Sequence, residues 1–430
     1  MTFCDQKSAH TVVLFFVFML SWNASRAQTE TVGYRFQGYT TDGSGPYGAL
    51  ISDGAGGFYG NTYFGGNGGC AGSGNYEYGC GTVFEVVPTK SGEWIESELY
   101  TLKAGTEDGA WAEGALARDQ RGNLYGTTWA GGAHGDGTVY EVMPPQVPGG
   151  PWTESVLYSF GANAGDGRNS AGRLAIDSLG NLYGTTVYGG ANNSKRCSSD
   201  GCGTIFELSP TGNGAWVETI LHNFGGLDGL DPYAGVVLDN SGDLFGTTAF
   251  SGTYYCANCG IAYLLKHPVS AGDPWQEIVM HRFVGGADGS IPFSDLTVVG
   301  DIVYGTTSAG GANNDGVVFQ IKRVGSGWGE NVIHSFAGNP DGSKPTGAII
   351  KVGGDLYGTT EFGGTANQGT VFRLSPDGAT WNESILYNFL NTPDGSAPFS
   401  GVTYFNGSLY GVTTAGGSSG NYGTVFEIAP

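Results

Sequence analysis

The chain has 430 residues, with 79 glycines, 13% aromatic residues, and 18 lysines and arginines against 39 aspartates and glutamates, for a formal charge of −21. An acidic surface of this kind repels phosphate backbones and anionic membranes, so neither nucleic acid nor a membrane surface is an expected partner. Abundant glycine and aromatic residues with few charges describe a turn-dense all-β protein and exclude a disordered one.

Taken in chain order, residues 1–27 read as a signal peptide. Lys7 precedes the apolar run TVVLFFVFML, and Ser25 and Ala27 stand at the small-residue positions of a cleavage site before Gln28. That run is about half the roughly 20 residues needed to span a bilayer. Cleavage would remove Asp5, Lys7 and Arg26 and take the charge from −21 to −22. No second run of this kind follows, and the chain ends on Pro430 without an apolar tail. The expectation is a monomeric protein, secreted or periplasmic, without membrane insertion, lipid or C-terminal anchor.

Residues 28–430 are expected to form one domain, because an internal repeat overrides the prior of several domains. YGNTYFGG begins at Tyr59 and returns at Tyr125, Tyr183, Phe245, Tyr304, Tyr357 and Tyr410, in forms such as YGTTVYGG. A glycine-rich loop and a strand such as GTVYEV from Gly137 follow. After a turn come Trp, one residue, Glu and a strand such as ESVLYSF from Glu154. A connector carrying Asp-Gly leads to a short apolar strand, as in GRLAID, which turns back into YGTT. One period thus predicts four strands of about five or six residues, the composition of a propeller blade. We label them A (GRLAID-like), B (YGTT-bearing), C (GTVYEV-like) and D (ESVLYSF-like), from the channel outward. The chain ends on a seventh C strand, while ETVGYRF from Glu30 is a D strand without A to C before it. The predicted fold is therefore a seven-bladed β-propeller of four-stranded blades, closed by the N-terminal strand. Closure removes edges that would invite aggregation.

The run GNLYGTT, two variable residues, GG, a loop and GTVFEL resembles the GloVer tandem repeat of the choice-of-anchor exported bacterial proteins, in seven copies over essentially all of residues 28–430. The resemblance implies export and says little about activity, because that family is defined by its repeat and by varied surface anchors.

Six cysteines remain after cleavage, paired in three B-to-C loops: Cys70 with Cys80, Cys197 with Cys202 and Cys256 with Cys259. An even count in an exported chain predicts local structural disulfides. Each D-to-A connector carries Asp-Gly, at Asp42, Asp108, Asp166, Asp228, Asp288, Asp341 and Asp394. The aspartate is expected to bond its own turn and the glycine to take positive φ. His222, His281 and His334 replace Tyr158 of the motif and are expected to be packing residues of an outer strand. No phosphate loop, dinucleotide fingerprint or nucleophile elbow appears, and no cofactor, metal site or catalytic residue is expected.

Repeated residues build the ring, so function is expected where the repeat is broken. Between Asp-Gly and strand A most blades carry Ser, Gly or Ala, yet Trp111, Glu113, Arg168, Arg173, Asp231, Asp295 and Lys344 also occur there, and Tyr47, Tyr233, Phe293 and Phe399 share one repeat position. Trp111, Glu113, Arg173, Tyr233, Phe293 and Asp295 are the candidate binding residues. The expected function is non-catalytic binding or scaffolding, engaging a glycan or an extracellular protein on the face of the long loops, with Phe64, Trp129, Tyr188, Phe250 and Phe362 beside the site. The alternative is a polysaccharide-degrading lyase or glycosidase. Glu113 and Asp295 are its only candidate pair, and they belong to blades almost opposite each other.

Overall fold

The computed structural model describes residues 30–39, 41–70, 78–191, 194–197, 199–251, 256, 259–270, 272–418 and 420–430. The expected signal peptide lies outside them. The described residues form seven antiparallel four-stranded sheets in a ring, a seven-bladed β-propeller. Blades 1 to 7 are numbered by their B strands: Phe58–Asn61, Leu124–Thr128, Leu182–Thr186, Leu244–Thr248, Ile302–Thr307, Asp355–Thr360 and Ser408–Thr413. Blade 2 is typical, with strand A Ala117–Arg118, C Thr138–Met143 and D Thr153–Ser159 around its B strand. Among the described residues no helix is long and apolar enough to cross a membrane.

Blade 7 closes the ring as expected. Its strands Thr403–Phe405, Ser408–Thr413 and Thr424–Ile428 are completed by Glu30–Arg35, with Glu30 opposite Ile428 and Arg35 opposite Thr424. Two further hydrogen bonds fasten the join, from Arg35 Nε to the carbonyl of Pro393 at 2.8 Å and from Thr403 Oγ1 to the carbonyl of Leu50.

Strand lengths depart from the even five or six expected. The A strands have two or three residues and the D strands six to nine. Near the axis the backbone entering each A strand presses on the next blade. A Cβ added to Gly48 would lie 2.8 Å from Ala115 Cα, which leaves no room for a longer ladder. The D strands lie at the circumference, where there is space. Each also loops out one residue opposite strand C, from Gly33 in blade 7 to Leu99 in blade 1 and Leu386 in blade 6. Such a bulge sharpens the twist of an outer strand.

The repeat signature follows from packing. The glycine of YGTT lies beneath the aromatic ring of strand C, so a Cβ on Gly184 would stand 2.6 Å from Phe206 Cζ. The first Thr donates to the next blade's entry carbonyl, as Thr185 does to Ala234 at 2.7 Å, and the second pairs with the Thr that opens strand C, as Thr186 does with Thr204 at 2.8 Å. The core lies between blades. Phe160, which follows one D strand, packs edge-on against Phe206 of the next blade at 5.2 Å, and Phe336 packs likewise on Phe372 at 5.1 Å. All four are 0% exposed. The D-strand tryptophans extend the same scheme, Trp152 on Tyr59 and Trp216 on Tyr125.

Each connector aspartate caps its own turn as expected; Asp108 accepts from the amides of Lys103 and Gly109. It does more. The tyrosine of the preceding D strand donates to it, Tyr100 to Asp108 at 2.8 Å and Tyr387 to Asp394 at 2.6 Å, and His222 and His281 bond their aspartates at 3.2 and 2.9 Å. The histidines are therefore hydrogen-bonding residues as well as packing ones. The D-strand glutamate of the next blade completes each cluster: Tyr158 bonds Asp166 at 3.1 Å and Glu218 at 3.0 Å. Burial, then the neighbouring aspartate, pushes Glu154 up to about 7 and Glu96 up to about 8.

Candidate functional site

The D-to-A connectors and B-to-C loops meet on one face, joined by short two-residue ribbons such as Gly167–Arg168 with Tyr188–Gly189. The three expected disulfides, Cys70–Cys80, Cys197–Cys202 and Cys256–Cys259, all pin loops of this face.

Three residues after each connector aspartate the backbone is left-handed: Gly45, Trp111, Asn169, Asp231, Ile291, Lys344 and Ala397 have φ between 52° and 63°. This residue hooks the connector to the preceding blade, as the amide of Trp111 donates to Cys80 O at 2.8 Å and that of Asp231 to Cys202 O at 3.1 Å. Glycine or asparagine would adopt this conformation with least strain, whereas a bulky side chain costs roughly 1–2 kcal/mol. Trp111, Asp231, Ile291 and Lys344 are thus held at the channel mouth against a conformational penalty. Strain of this kind gathers at functional sites.

Around the mouth the aromatic rings form a continuous arc. Trp111 stacks on Tyr63 (6.3 Å, 14°), Tyr63 meets Tyr47 (5.4 Å), Tyr47 meets Phe399 (5.2 Å), Phe399 meets Phe293 (5.9 Å), Phe293 stacks on Tyr233 (4.6 Å, 20°) and Tyr233 stacks on Trp129 (6.4 Å, 7°). Tyr233 and Phe293 stack directly on each other, whereas Trp111 joins them only through Tyr63, Tyr47 and Phe399. Tyr63 was not foreseen, although Trp129, which stands at the same repeat position in blade 2, was placed beside the site. The bowl beside the arc encloses about 90 Å³ and is lined by Tyr47, Phe399, Phe293 and Tyr233 together with Glu113, Arg173 and Asp295; Trp111, Tyr63 and Trp129 stand outside its lining.

Arg173 and Asp295 occupy one repeat position in blades 3 and 5, where the other blades carry Ala49, Ala115, Gly235, Ala348 and Gly401. Asp295 is half-buried. Burial raises its carboxyl, the Arg173 guanidinium opposes the rise, and the Gly235 amide donates to Oδ1 at 2.8 Å. This pair forms the floor of the bowl. Glu113 has burial as its sole cause of shift, which pushes its carboxyl up to about 7, and its charge acts on Tyr47 and Tyr63. Asp231 is raised by burial to about 6. Trp111 Nε1, Asp231 Oδ1 and Ser400 Oγ are buried polar atoms without a hydrogen-bond partner among the described residues. Of these three residues, Ser400 lines the bowl.

A larger cavity of about 860 Å³ opens on the side of the A-to-B turns. Two of its aspartates are committed to those turns: Asp177 accepts from the amides of Leu179 and Asn181, and Asp239 from those of Ser241 and Asp243. It is lined by repeated hairpins together with Arg173 and Asp295, which it shares with the bowl, whereas the aromatic departures from the repeat and Glu113 line the bowl alone.

No curated protein sequence matches the chain. Among solved structures it is similar to the sialidase of Trypanosoma rangeli in complex with the inhibitor DANA, at 13% identity and TM-score 0.41 over 80% of this chain and 57% of that one. The chain thus spans 57% of the sialidase's length. It is similar to a putative oxidoreductase (glucose dehydrogenase) of Thermus thermophilus, at 16% identity and TM-score 0.40 over 93% and 99% of the two chains. A hypothetical selenium-binding protein of Sulfolobus tokodaii matches at 11% identity and TM-score 0.48 over 73% and 75%. At these identities and scores none of the three bears on ligand or activity. The model of the Gloeobacter/Verrucomicrobia repeat matches residues 17–194, 68–297 and 258–430, nearly the whole sequence, and the protein belongs to this repeat family.

Proposed function

We propose that this is an exported, non-catalytic binding module that holds a glycan across the aromatic bowl of its long-loop face. The unbroken arc from Trp111 through Tyr63, Tyr47, Phe399, Phe293 and Tyr233 to Trp129 carries the reading. Half-buried aromatic rings suit the C–H faces of sugars, and Glu113, Arg173 and Ser400 in the same lining supply polar groups for hydroxyls. At about 90 Å³ the bowl is well below the roughly 300 Å³ of pockets that engulf a small ligand. A chain of sugars would lie over the rings and dip a single substituent between them. Export is supported by the composition of residues 1–27 and by three disulfides, which persist in oxidising compartments.

The enzymatic alternative has one supporting observation. A carboxyl raised to about 7, as in Glu113, suits a general acid. A glycosidase usually needs a second carboxyl free to act across the sugar, and one oxygen of Asp295 already accepts from the Gly235 amide. Binding is the better fit. A glycan array on the mature protein, followed by titration of the hits, tests it. Tyr233→Ala with Phe293→Ala is expected to weaken binding at least tenfold with little change in melting temperature. Undiminished affinity would move the site elsewhere, and polysaccharide turnover abolished by Glu113→Gln would establish the enzyme.

A further inference from the structure

Seven carboxyl clusters stand at the boundaries between blades, each joining a D-strand residue and connector aspartate of one blade to the D-strand glutamate of the next, six of them in Trp-x-Glu and the seventh Glu30. In four the D-strand residue is tyrosine, Tyr34, Tyr100, Tyr158 or Tyr387, and its hydroxyl donates to the aspartate. In the three consecutive boundaries from blade 3 to blade 6 it is His222, His281 or His334.

The exchange changes what the cluster can do. A tyrosine hydroxyl brings its own proton to the carboxylate, and its very high pKa makes it a poor metal ligand. An imidazole offers a nitrogen lone pair, as a metal centre requires. In these three boundaries the histidine Nε2, one aspartate oxygen and one glutamate oxygen all lie within 4.8 Å of one another: His222, Asp228 and Glu277; His281, Asp288 and Glu330; His334, Asp341 and Glu383. At all seven boundaries the glutamate Oε1 is buried without a hydrogen-bond partner among the described residues, and only where histidine stands does an imidazole face it; His334 Nε2 is likewise without a partner.

The ligands are also oriented from behind. Asp228 Oδ1 accepts from the Gly225 amide at 2.7 Å, leaving Oδ2 3.2 Å from His222 Nε2. Asp288 Oδ2 accepts from the Val284 amide at 2.7 Å, leaving Oδ1 2.9 Å from His281 Nε2. Each imidazole is wedged edge-on against the following phenylalanine, with centroids 4.8 Å apart for His222 on Phe224 and His281 on Phe283, and 4.6 Å for His334 on Phe336. Hydrogen bonds and packing behind the ligands fix their orientation in metal sites.

We propose that these three boundaries are sites for a divalent transition metal ion, zinc by the chemistry of the donors, each held by one imidazole and two carboxylates from adjacent blades. Three protein ligands with a water in the fourth position is a common zinc arrangement, and imidazole with carboxylate suits zinc over magnesium or calcium. A bound ion would cross-link blades 3 to 6 and leave the tyrosine boundaries unaffected.

The repeat supplies its own control, because tyrosine at this position is what the other four boundaries already accommodate. Zinc chloride titrated into the disulfide-intact protein, followed calorimetrically and by melting temperature, is expected to show three equivalents bound with micromolar or tighter affinity and a raised melting point. The His222→Tyr, His281→Tyr, His334→Tyr triple variant is expected to lose all three equivalents and the zinc-dependent rise. No saturable binding by the wild type, or equal stoichiometry in the triple variant, would overturn the proposal. Should the triple variant not fold, Glu277→Gln alone is expected to remove one equivalent, and three retained equivalents there would be equally decisive against it.

Discussion

The boundaries between blades and the mouth of the channel are built on opposite plans. A boundary repeats seven times with the same glutamate and aspartate, an aromatic residue beneath them, and a choice only between tyrosine and histidine. The mouth uses the same backbone seven times and a different side chain almost every time. At one left-handed position it carries Gly, Trp, Asn, Asp, Ile, Lys and Ala in turn. Uniformity at the boundaries serves closure of the ring. Variety at the mouth, kept where glycine would be less strained, is the mark of a surface shaped for something outside the protein.

The largest expected effect comes from breaking a boundary outright. Deleting residues 28–37 removes the D strand of blade 7 and with it Phe36, which is 0% exposed in a core with Leu50, Phe58 and Phe84. Loss of one such ring alone costs roughly 3–5 kcal/mol. The deletion is therefore expected to lower the melting temperature by more than about 10 °C or to abolish cooperative unfolding. An unchanged thermal transition would mean that the ring does not depend on this strand.

Titrating the boundaries should have an intermediate effect. Burial raises Glu96 to about 8 and Glu154 and Glu30 to about 7, with Asp42 and Glu98 facing the first, Asp108, Tyr100 and Lys103 the second, and Asp394, Arg35 and Tyr387 the third. The folded chain then holds protons that the unfolded chain releases above the usual carboxylate range. Their contribution is complete below about pH 4.5 and is lost as pH rises through 7 to 8. Melting temperature is expected to fall between pH 5 and 9, and the Glu96→Gln, Glu154→Gln double variant to flatten that decline. An identical slope in the variant would locate the pH dependence elsewhere.

The smallest effect is expected at the mouth and has the opposite sign to an ordinary truncation. Ile291 has φ of 58° and is β-branched, so Ile291→Gly relieves strain while giving up a half-buried side chain. Chemical denaturation is expected to find it neutral or stabilising by up to about 1 kcal/mol. Removing a buried aliphatic side chain normally costs about 2–5 kcal/mol, and a loss of that size here would show that Ile291 serves the core.

The repeat made the ring, the split seventh blade and the disulfide pairs legible, because each depends on residues close in sequence or on a motif that recurs. Contacts between blades were not. Glu154 is near Tyr100 in space but belongs to a different copy of the repeat, and a single sequence gives no sign of which copies touch through which face. The same limit hid the influence of the Arg173 charge on Asp295 and the bond it accepts from the Gly235 amide, since all three residues stand at one repeat position in successive blades. The mouth residues were found by their departure from the repeat. Tyr63 could have been found in the same way, since it shares its repeat position with Trp129.

The pairing of Glu30 with Ile428 has a kinetic meaning as well. Every blade but the last can assemble from a contiguous segment as it is made, whereas the join requires the two ends of the chain to find each other. Closing a flexible loop of that length carries an entropic cost of about 5 kcal/mol, which declines as each intermediate blade condenses and shortens the free chain. The disulfides give no help, since they span separations of only 10, 5 and 3 residues. The last step of folding is therefore the capture of the first-made strand. A protein exported through a pore as an extended chain would complete that step only after its final residues had crossed.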